Sequence, residues 1–232
     1  MTHQSKGPQD RREFLAQLGI ATALLTGSAG AVGAVTAQPD VAELEIPATT
    51  DKWDTSWLDQ LAKAQFRVVF DATSISDGYA LDTTGVFFSH YHEVHGTSDE
   101  QLRAVIVMRQ LGTPLALNDA LWDKFALGEE LKINDRLTQQ PARRNPFLKP
   151  HASNGSSDSS LETLRSRGTI LLLCNIAMNN WSARHAEMTK RPVDEVREEV
   201  RSNLVPGTIV VPSGIFALIR AQNAGCAYMR GA

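Results

Sequence analysis

Thr169-Ile170-Leu171-Leu172-Leu173-Cys174 is the most apolar run of the chain, entered from Gly168 and left into a segment of helical character. A short, unbroken apolar run next to a glycine reads as a strand buried on both faces, the pattern of a parallel sheet covered by helices. Just upstream, 161–167 predicts a short helix stopped by Gly168, and just downstream 176–189 predicts a longer one. The same unit recurs outward from this point. Arg67-Val68-Val69-Phe70-Asp71 predicts a strand, followed by a helix over 79–94 that Gly96 ends. Ala104 to Met108 predicts the next strand, with a helix over 115–125. Toward the C-terminus come a helix over 192–203 opened by Pro192, a strand over 208–211, a helix over 214–224 and a strand over 226–229. Ahead of the first strand, Asp54-Thr55 is expected to cap a short helix to about Ala64 that buries Trp57, Leu58 and Leu61. Alternating strands and helices predict an α/β domain with a mostly parallel sheet and helices on both faces.

The composition fits this and narrows the function. A chain of 232 residues with 42% hydrophobic and 21% charged residues is large enough for one well-buried core. A net charge of -3 argues against a nucleic-acid surface, which normally carries a basic stripe. The two cysteines, Cys174 and Cys226, have neither CxxC nor zinc-type spacing. Glycine-rich phosphate motifs of the Gly-x-Gly-x-x-Gly and Gly-Lys-Ser/Thr kinds are absent, so no nucleotide cofactor is expected, nor any other.

The first 37 residues read as an address. Asp10-Arg11-Arg12-Glu13-Phe14-Leu15 resembles a twin-arginine export motif, and the weakly apolar, glycine-broken stretch from Leu18 to Val35 suits a cleavable signal better than a membrane span. Val35-Thr36-Ala37 places small residues at the cleavage positions, so the mature chain is expected to start at Gln38, in the periplasm, without a membrane span. The alternatives are a general secretory signal with a chance arginine pair, or an uncleaved anchor. The domain organisation is then a signal over 1–37, a flexible lead-in over 38–52, and one α/β domain over 53–232. A Pro-, Ser- and Asn-containing insertion at about 128–160 interrupts that domain.

In parallel sheets, ligands bind beyond the carboxyl ends of the strands. Here those ends are 71–77, 109–113, Cys174-Asn175 and Pro212-Ser213-Gly214. Cys174 ends a strand and precedes a helix, where free amide groups and the positive helix end favour a thiolate. Arg109, turned to the same edge, would add to that effect, and Ser213 is placed to cap the last long helix and offer a second anion position. The plainer alternative is a cysteine acting as a small buried hydrophobe.

Two stretches carry a family resemblance. Thr169 to Cys174 with Asn175-Ile176-Ala177-Met178 resembles the strand and cysteine-containing turn of the DsrE/DsrF-like sulfur-relay proteins. Val210-Val211-Pro212-Ser213-Gly214, with Gln222-Asn223-Ala224-Gly225-Cys226-Ala227-Tyr228, resembles that family's closing Val-Pro-Ser-Gly helix and Gln-x-x-Gly-x-x-Tyr ending. The resemblance runs from about Leu161 to the end. It implies a flavodoxin-like or DsrE-like three-layer fold, a homo-oligomer, and a persulfide-carrying role for Cys174. Arg109, Asn175, Ser213 and Gly214 would bind a small thiol or anion there, and a sulfur-donor or acceptor protein would be a partner. A second reading is a non-catalytic assembly subunit with Cys174 merely buried.

A third reading is metal binding through His90, His92 and His95; His92 and His95, three apart, share a helix face. Histidines near a helix C-terminus are also expected from the dipole alone. His185 reads as a core histidine beside Met178 and Trp181, roughly 15 Å along the helix from Cys174 at about 1.5 Å per residue. The insertion is long enough to climb back toward the carboxyl edge, which would bring Arg143, Arg144 and Asn145 to the site or to a subunit contact. No disulfide is expected between Cys174, at a carboxyl end, and Cys226, at an amino end, because the bond needs Cα atoms within about 7 Å.

Overall fold

The computed structural model describes residues 52–135, 137–150 and 159–232. The export leader, its cleavage point and all but Lys52 of the lead-in lie outside these residues. Five strands form one sheet: β1 (Phe66–Ser74), β2 (Leu102–Leu111), β3 (Ile170–Cys174), β4 (Thr208–Val211) and β5 (Ala227–Arg230). The order is β4-β3-β2-β1-β5 and every pairing is parallel.

That order decides which face each helix covers. From β1 to β4 the chain steps sideways in one direction, so right-handed crossovers place all the intervening helices on one face. They are α2 (Tyr79–His95), α3 (Asp119–Lys124), α4 (Leu127–Leu131), α5 (Leu161–Ser166), α6 (Asn175–Thr189) and α7 (Val193–Ser202). The single reversed step, β4 to β5, carries α8 (Gly214–Asn223) to the other face, where α1 (Trp57–Ala62) joins it. Two separate cores follow. Val68, Phe70, Ile106, Met108, Leu171 and Leu173 pack toward the α2–α7 layer. Val69, Val105, Val107, Ile170, Leu172 and Val211 pack with Trp57, Leu61, Ala217 and Ala221 of α1 and α8. Each such side chain, taken fully out of water, contributes about 1.5–3 kcal/mol before ordering costs.

Local signals set most of the ends. Gly96 takes φ 63° and caps α2 by donating to His92, Ser160 accepts from Thr163 N at the start of α5, and Ser213 accepts from Phe216 N at the start of α8. The α1 cap differs from expectation. The helix starts after Ser56, and Asp54 instead accepts from the Ser56 amide and hydroxyl. Trp57 and Leu61 are buried as expected, whereas Leu58 is only half-buried.

The expected helix over 115–125 is two pieces, with a further short helix beyond it. Pro114 starts a 3-10 turn over Thr113–Ala116, Asn118 then caps α3 by accepting from Leu121 N, and Ala126 in the left-handed region separates α3 from α4. The insertion is also more structured than its composition suggests. Gly128 lies in α4 with an ideal Cβ position only 2.1 Å from Ala142 N, so the two backbones touch. Ala142, Phe147 and Leu148 join the core. Buried Asn145 donates to the carbonyls of Leu115 and Leu117 and accepts from Phe147 N, replacing a regular ladder with side-chain bonds. Residues 151–158 of the insertion are outside the described part.

Candidate functional site

Adjacent strands β3 and β4 send their following helices, α6 and α8, to opposite faces, which opens a crevice at their carboxyl ends. Cys174 and Ser213 stand at its two sides. A cavity of about 420 Å³ occupies it, within the range of small-molecule sites.

Strand parity builds the floor. Side chains alternate between faces, so Asp71 on β1 falls on the α8 side with Val69, Arg109 on β2 with Val107, and Cys174 on β3 with Leu172. Met108 pairs with Leu173, so one further step in register sets Arg109 beside Cys174. Asp71, only 4% exposed, accepts two bonds from Arg109: Nε to Oδ1 at 2.7 Å and Nη2 to Oδ2 at 2.8 Å. Tyr228 of β5 donates to Asp71 Oδ2 at 3.1 Å. The arginine stem lies across the start of α8, and only glycine fits beneath it: a Cβ on Gly214 would stand 2.5 Å from Arg109 Cδ. After Arg109 the chain turns sharply. Gln110 adopts φ 51°, and Gly112 approaches so closely that a Cβ would lie 2.3 Å from Ala72 O.

These contacts set the electrostatics. The Asp71 hydrogen bonds, partly opposed by burial, hold the Arg109 guanidinium more firmly protonated than usual, and Cys174 adds a smaller Coulombic pull. Partial desolvation, and then donation to Asp71, push the Tyr228 hydroxyl up. Cys174 is 6% exposed, and its Sγ accepts the Ala177 amide at 3.4 Å, so the sulfur itself caps α6. Cys226 is equally buried at the amino edge, where desolvation pushes its thiol up to about 11. Both thiols are free.

The walls come from α6, the end of β2 and the start of α8. Leu111, Ile176 and Ile215 line the cavity while 66%, 55% and 65% exposed, and Trp181 and Arg184 extend it along α6. Arg184 is paired with Glu130 of α4. The same carboxylate lies 3.0 Å from His185 Nε2, while Nδ1 is 3.0 Å from the Trp181 carbonyl and the ring stacks on Trp181 at 3.6 Å. His185 is thus a core histidine, and burial pulls its pKa down.

Of the residues singled out by sequence, Cys174, Arg109, Ser213 and Gly214 line the cavity. Asn175 does not, because the first residue of α6 faces α7, where its Oδ1 accepts from Arg201. Arg143 and Arg144 of the insertion do not reach the cavity either. Arg143 pairs with Asp123 and Glu129, and Arg144 with Asp135. Arg144 and Asn145 border a smaller pocket of about 140 Å³ with Asp119 and Lys149.

The three histidines of α2 find separate surroundings. His90 is exposed, and His95 stacks on Phe66 at 5.4 Å. His92 Nε2 is 3.0 Å from Asp99 Oδ1, though too poorly aligned for a hydrogen bond. Among the described residues no group of three or more His, Cys, Asp or Glu is placed to hold a metal ion.

Sequence reasoning missed the Asp71 clamp, the Tyr228 donor, and the wall formed by Leu111, Trp181, Arg184 and Ile215. One signal for the clamp was present: a carboxylate closing the apolar run Val68-Val69-Phe70 and an arginine closing Ala104 to Met108 are charges that a buried sheet tolerates only when paired.

No helix among the described residues is long and apolar enough to cross a membrane. No family model matches the chain, and no curated protein matches it. Among solved structures, the chain is similar to the protein of unknown function MTH1491 from Methanobacterium thermoautotrophicum. The two share 16% identity, with 71% of this chain and 98% of that one covered, at a TM-score of 0.35.

Proposed function

We propose that this chain binds a small thiol or anion in the carboxyl-edge cavity and carries sulfur on Cys174, as a DsrE-like protein working after export to the periplasm. The observation that supports this is the contrast between two equally buried thiols. Cys174 borders a cavity, accepts a helix-start amide and lies beside Arg109, whereas burial keeps Cys226 protonated. A thiol at a cavity wall can be reached by a donor molecule, whereas one sealed in apolar surroundings is inert.

With an organic persulfide, R–S–SH, as donor, the Cys174 thiolate attacks the outer sulfur. The new S–S bond forms as the old one breaks, R–S⁻ leaves and takes a proton from water, and Cys174 is left as a persulfide. No external oxidant is needed. The oligomer and a protein donor or acceptor belong to this reading through the family resemblance.

The test is mass spectrometry of the mature protein after incubation with a persulfide donor. A gain of one sulfur atom per chain, lost in Cys174→Ala and kept in Cys226→Ala, is expected. Cys174 should also react with iodoacetamide at neutral pH at least about tenfold faster than Cys226. Equal rates with no sulfur uptake would favour a second reading, an assembly subunit, which the 6% exposure of Cys174 and the apolar cavity rim recommend. Export is tested separately: Arg11→Lys with Arg12→Lys should stop processing at Ala37, and unchanged periplasmic yield would remove that part.

A further inference from the structure

The cavity beside Cys174 holds two arginines, yet neither offers a free charge. Arg109 is clamped by both oxygens of Asp71, and Arg184 is paired with Glu130. One amide at each helix start is taken as well: Cys174 Sγ accepts from the Ala177 amide of α6 and Ser213 Oγ from the Phe216 amide of α8. An anion drawn to Arg109 would compete with a carboxylate already held by two hydrogen bonds. What the cavity leaves exposed is apolar: Leu111, Ile176 and Ile215 converge from three separate segments, with Trp181 beside them. The apolar side chains surround a volume of about 420 Å³, enough for a two-ring organic molecule.

We infer that the ligand of this cavity is an uncharged organic molecule with an apolar body, seated against Leu111, Ile176, Ile215 and Trp181, with its polar or thiol end toward Cys174. The inference rests on the reading above for the choice of site, and narrows its ligand from a thiol or anion to a neutral, apolar-bodied compound. Burying the three rim side chains under such a body removes exposed apolar area from water, the main driving force for filling an apolar pocket. A carboxylate or sulfonate on the ligand would be desolvated without gaining an unpaired cation.

Two fluorescent probes that differ by one sulfonate test this directly, because N-phenyl-1-naphthylamine is neutral and 8-anilino-1-naphthalenesulfonate carries the same rings with a charge. Titrating both into the mature Cys174→Ala protein removes thiol chemistry from the measurement. The neutral probe is expected to bind at least about tenfold more tightly. Ile176→Asp and Ile215→Asp, both at exposed helix-start positions where an acid is tolerated, should each weaken it about tenfold with the circular dichroism spectrum unchanged. Equal or tighter binding of the sulfonate would overturn the proposal. So would neutral-probe binding indifferent to both substitutions, or no binding by the folded protein. Loss of oligomer in Ile215→Asp without any probe binding would overturn it in favour of a second copy of the chain on this face. Failure of persulfide uptake with intact probe binding removes only the sulfur-carrier reading, and the reverse result removes only this one.

Discussion

The two edges of the sheet use the same residue types for different purposes. At the amino edge, arginines bond carbonyls: Arg67 donates to Ala64 and Ala224, and Arg103 to Asp99 and Leu102. They lie over the left-handed glycines Gly225 and Gly168 that end the preceding helices. At the carboxyl edge, Arg109 and Arg184 are held by the carboxylates of Asp71 and Glu130 and border an open cavity. Each edge also carries one buried cysteine. Equal burial therefore does not give the two thiols equal surroundings. The difference lies in the groups that meet the sulfur, an amide and a clamped guanidinium at one edge against desolvation with only a small Coulombic offset from Arg67 at the other.

The largest difference between the edges should appear when one arginine contact is removed from each. Asp71→Asn leaves Arg109 without a counter-charge over a buried strand end, and the expected loss is about 3 kcal/mol, the low end for a broken buried pair. The low end applies because the Arg109 side chain keeps 21% exposure. Arg67→Met at the amino edge removes neutral-acceptor bonds and should cost about 1–2 kcal/mol. Urea denaturation with unchanged m-values measures both, and equal losses would erase the distinction drawn between clamp and stitch.

How much of this was legible depends on whether a residue's role is local or needs its neighbours in space. The strand Ile170–Cys174 and the helix Asn175–Thr189 could be read because their apolar pattern and flanking glycine act within a few residues. Cys174, Ser213 and Gly214 could be placed at one edge because every strand of an alternating α/β chain points the same way. The partner of Arg109 could not be read. Asp71 becomes its neighbour only once β1 is known to lie beside β2, and the chain between them runs through all of α2. Asn175 was misplaced for a finer reason, since the direction of a helix's first side chain depends on the packing of α7, whose Arg201 takes it. The insertion misled through composition. Its prolines and asparagines signal a loop, but Asn145 makes three buried hydrogen bonds that composition does not reveal.

A middle-sized effect should separate the two cysteines by pH. Burial pushes Cys226 up to about 11 in the folded chain, so between the ordinary thiol value and about 11 the folded state binds more protons than the unfolded one. Stability therefore falls as pH rises through that window. A tenfold change in acid strength is worth about 1.4 kcal/mol. With a discount for solvent screening at the sheet edge, the loss tends toward about 2 kcal/mol once both states are ionised. Cys226→Ala should flatten the alkaline limb of the melting-temperature curve, whereas an equal flattening in Cys174→Ala would mean the two thiols share one environment.

The smallest expected effect concerns the wall of the cavity, and its sign is the informative part. His185 is 1% exposed, with Glu130 and the Trp181 carbonyl each 3.0 Å from a ring nitrogen and Arg184 sharing Glu130. Burial, the largest influence, lowers its pKa; the carbonyl pulls the other way and Arg184 lowers it further. Above about pH 6.5 the ring is neutral in both states and the contribution is complete. As pH falls below that value the unfolded chain takes up a proton that the folded chain resists, so stability is lost, by at most about 1.4 kcal/mol per pH unit. The chain should thus melt at a lower temperature at pH 5 than at pH 7, and His185→Gln, which carries no titrating group, should show a shallower fall. Because Trp181 stacks on this ring and lines the cavity, its fluorescence should follow the same acid limb. The opposite slope, with wild type gaining stability relative to His185→Gln as pH falls, would show that the Glu130 carboxylate holds the imidazolium against burial. A charged ring would then stack on Trp181 beside the existing Arg184–Glu130 pair, and the apolar lining assigned to the ligand would have to be redrawn on that side.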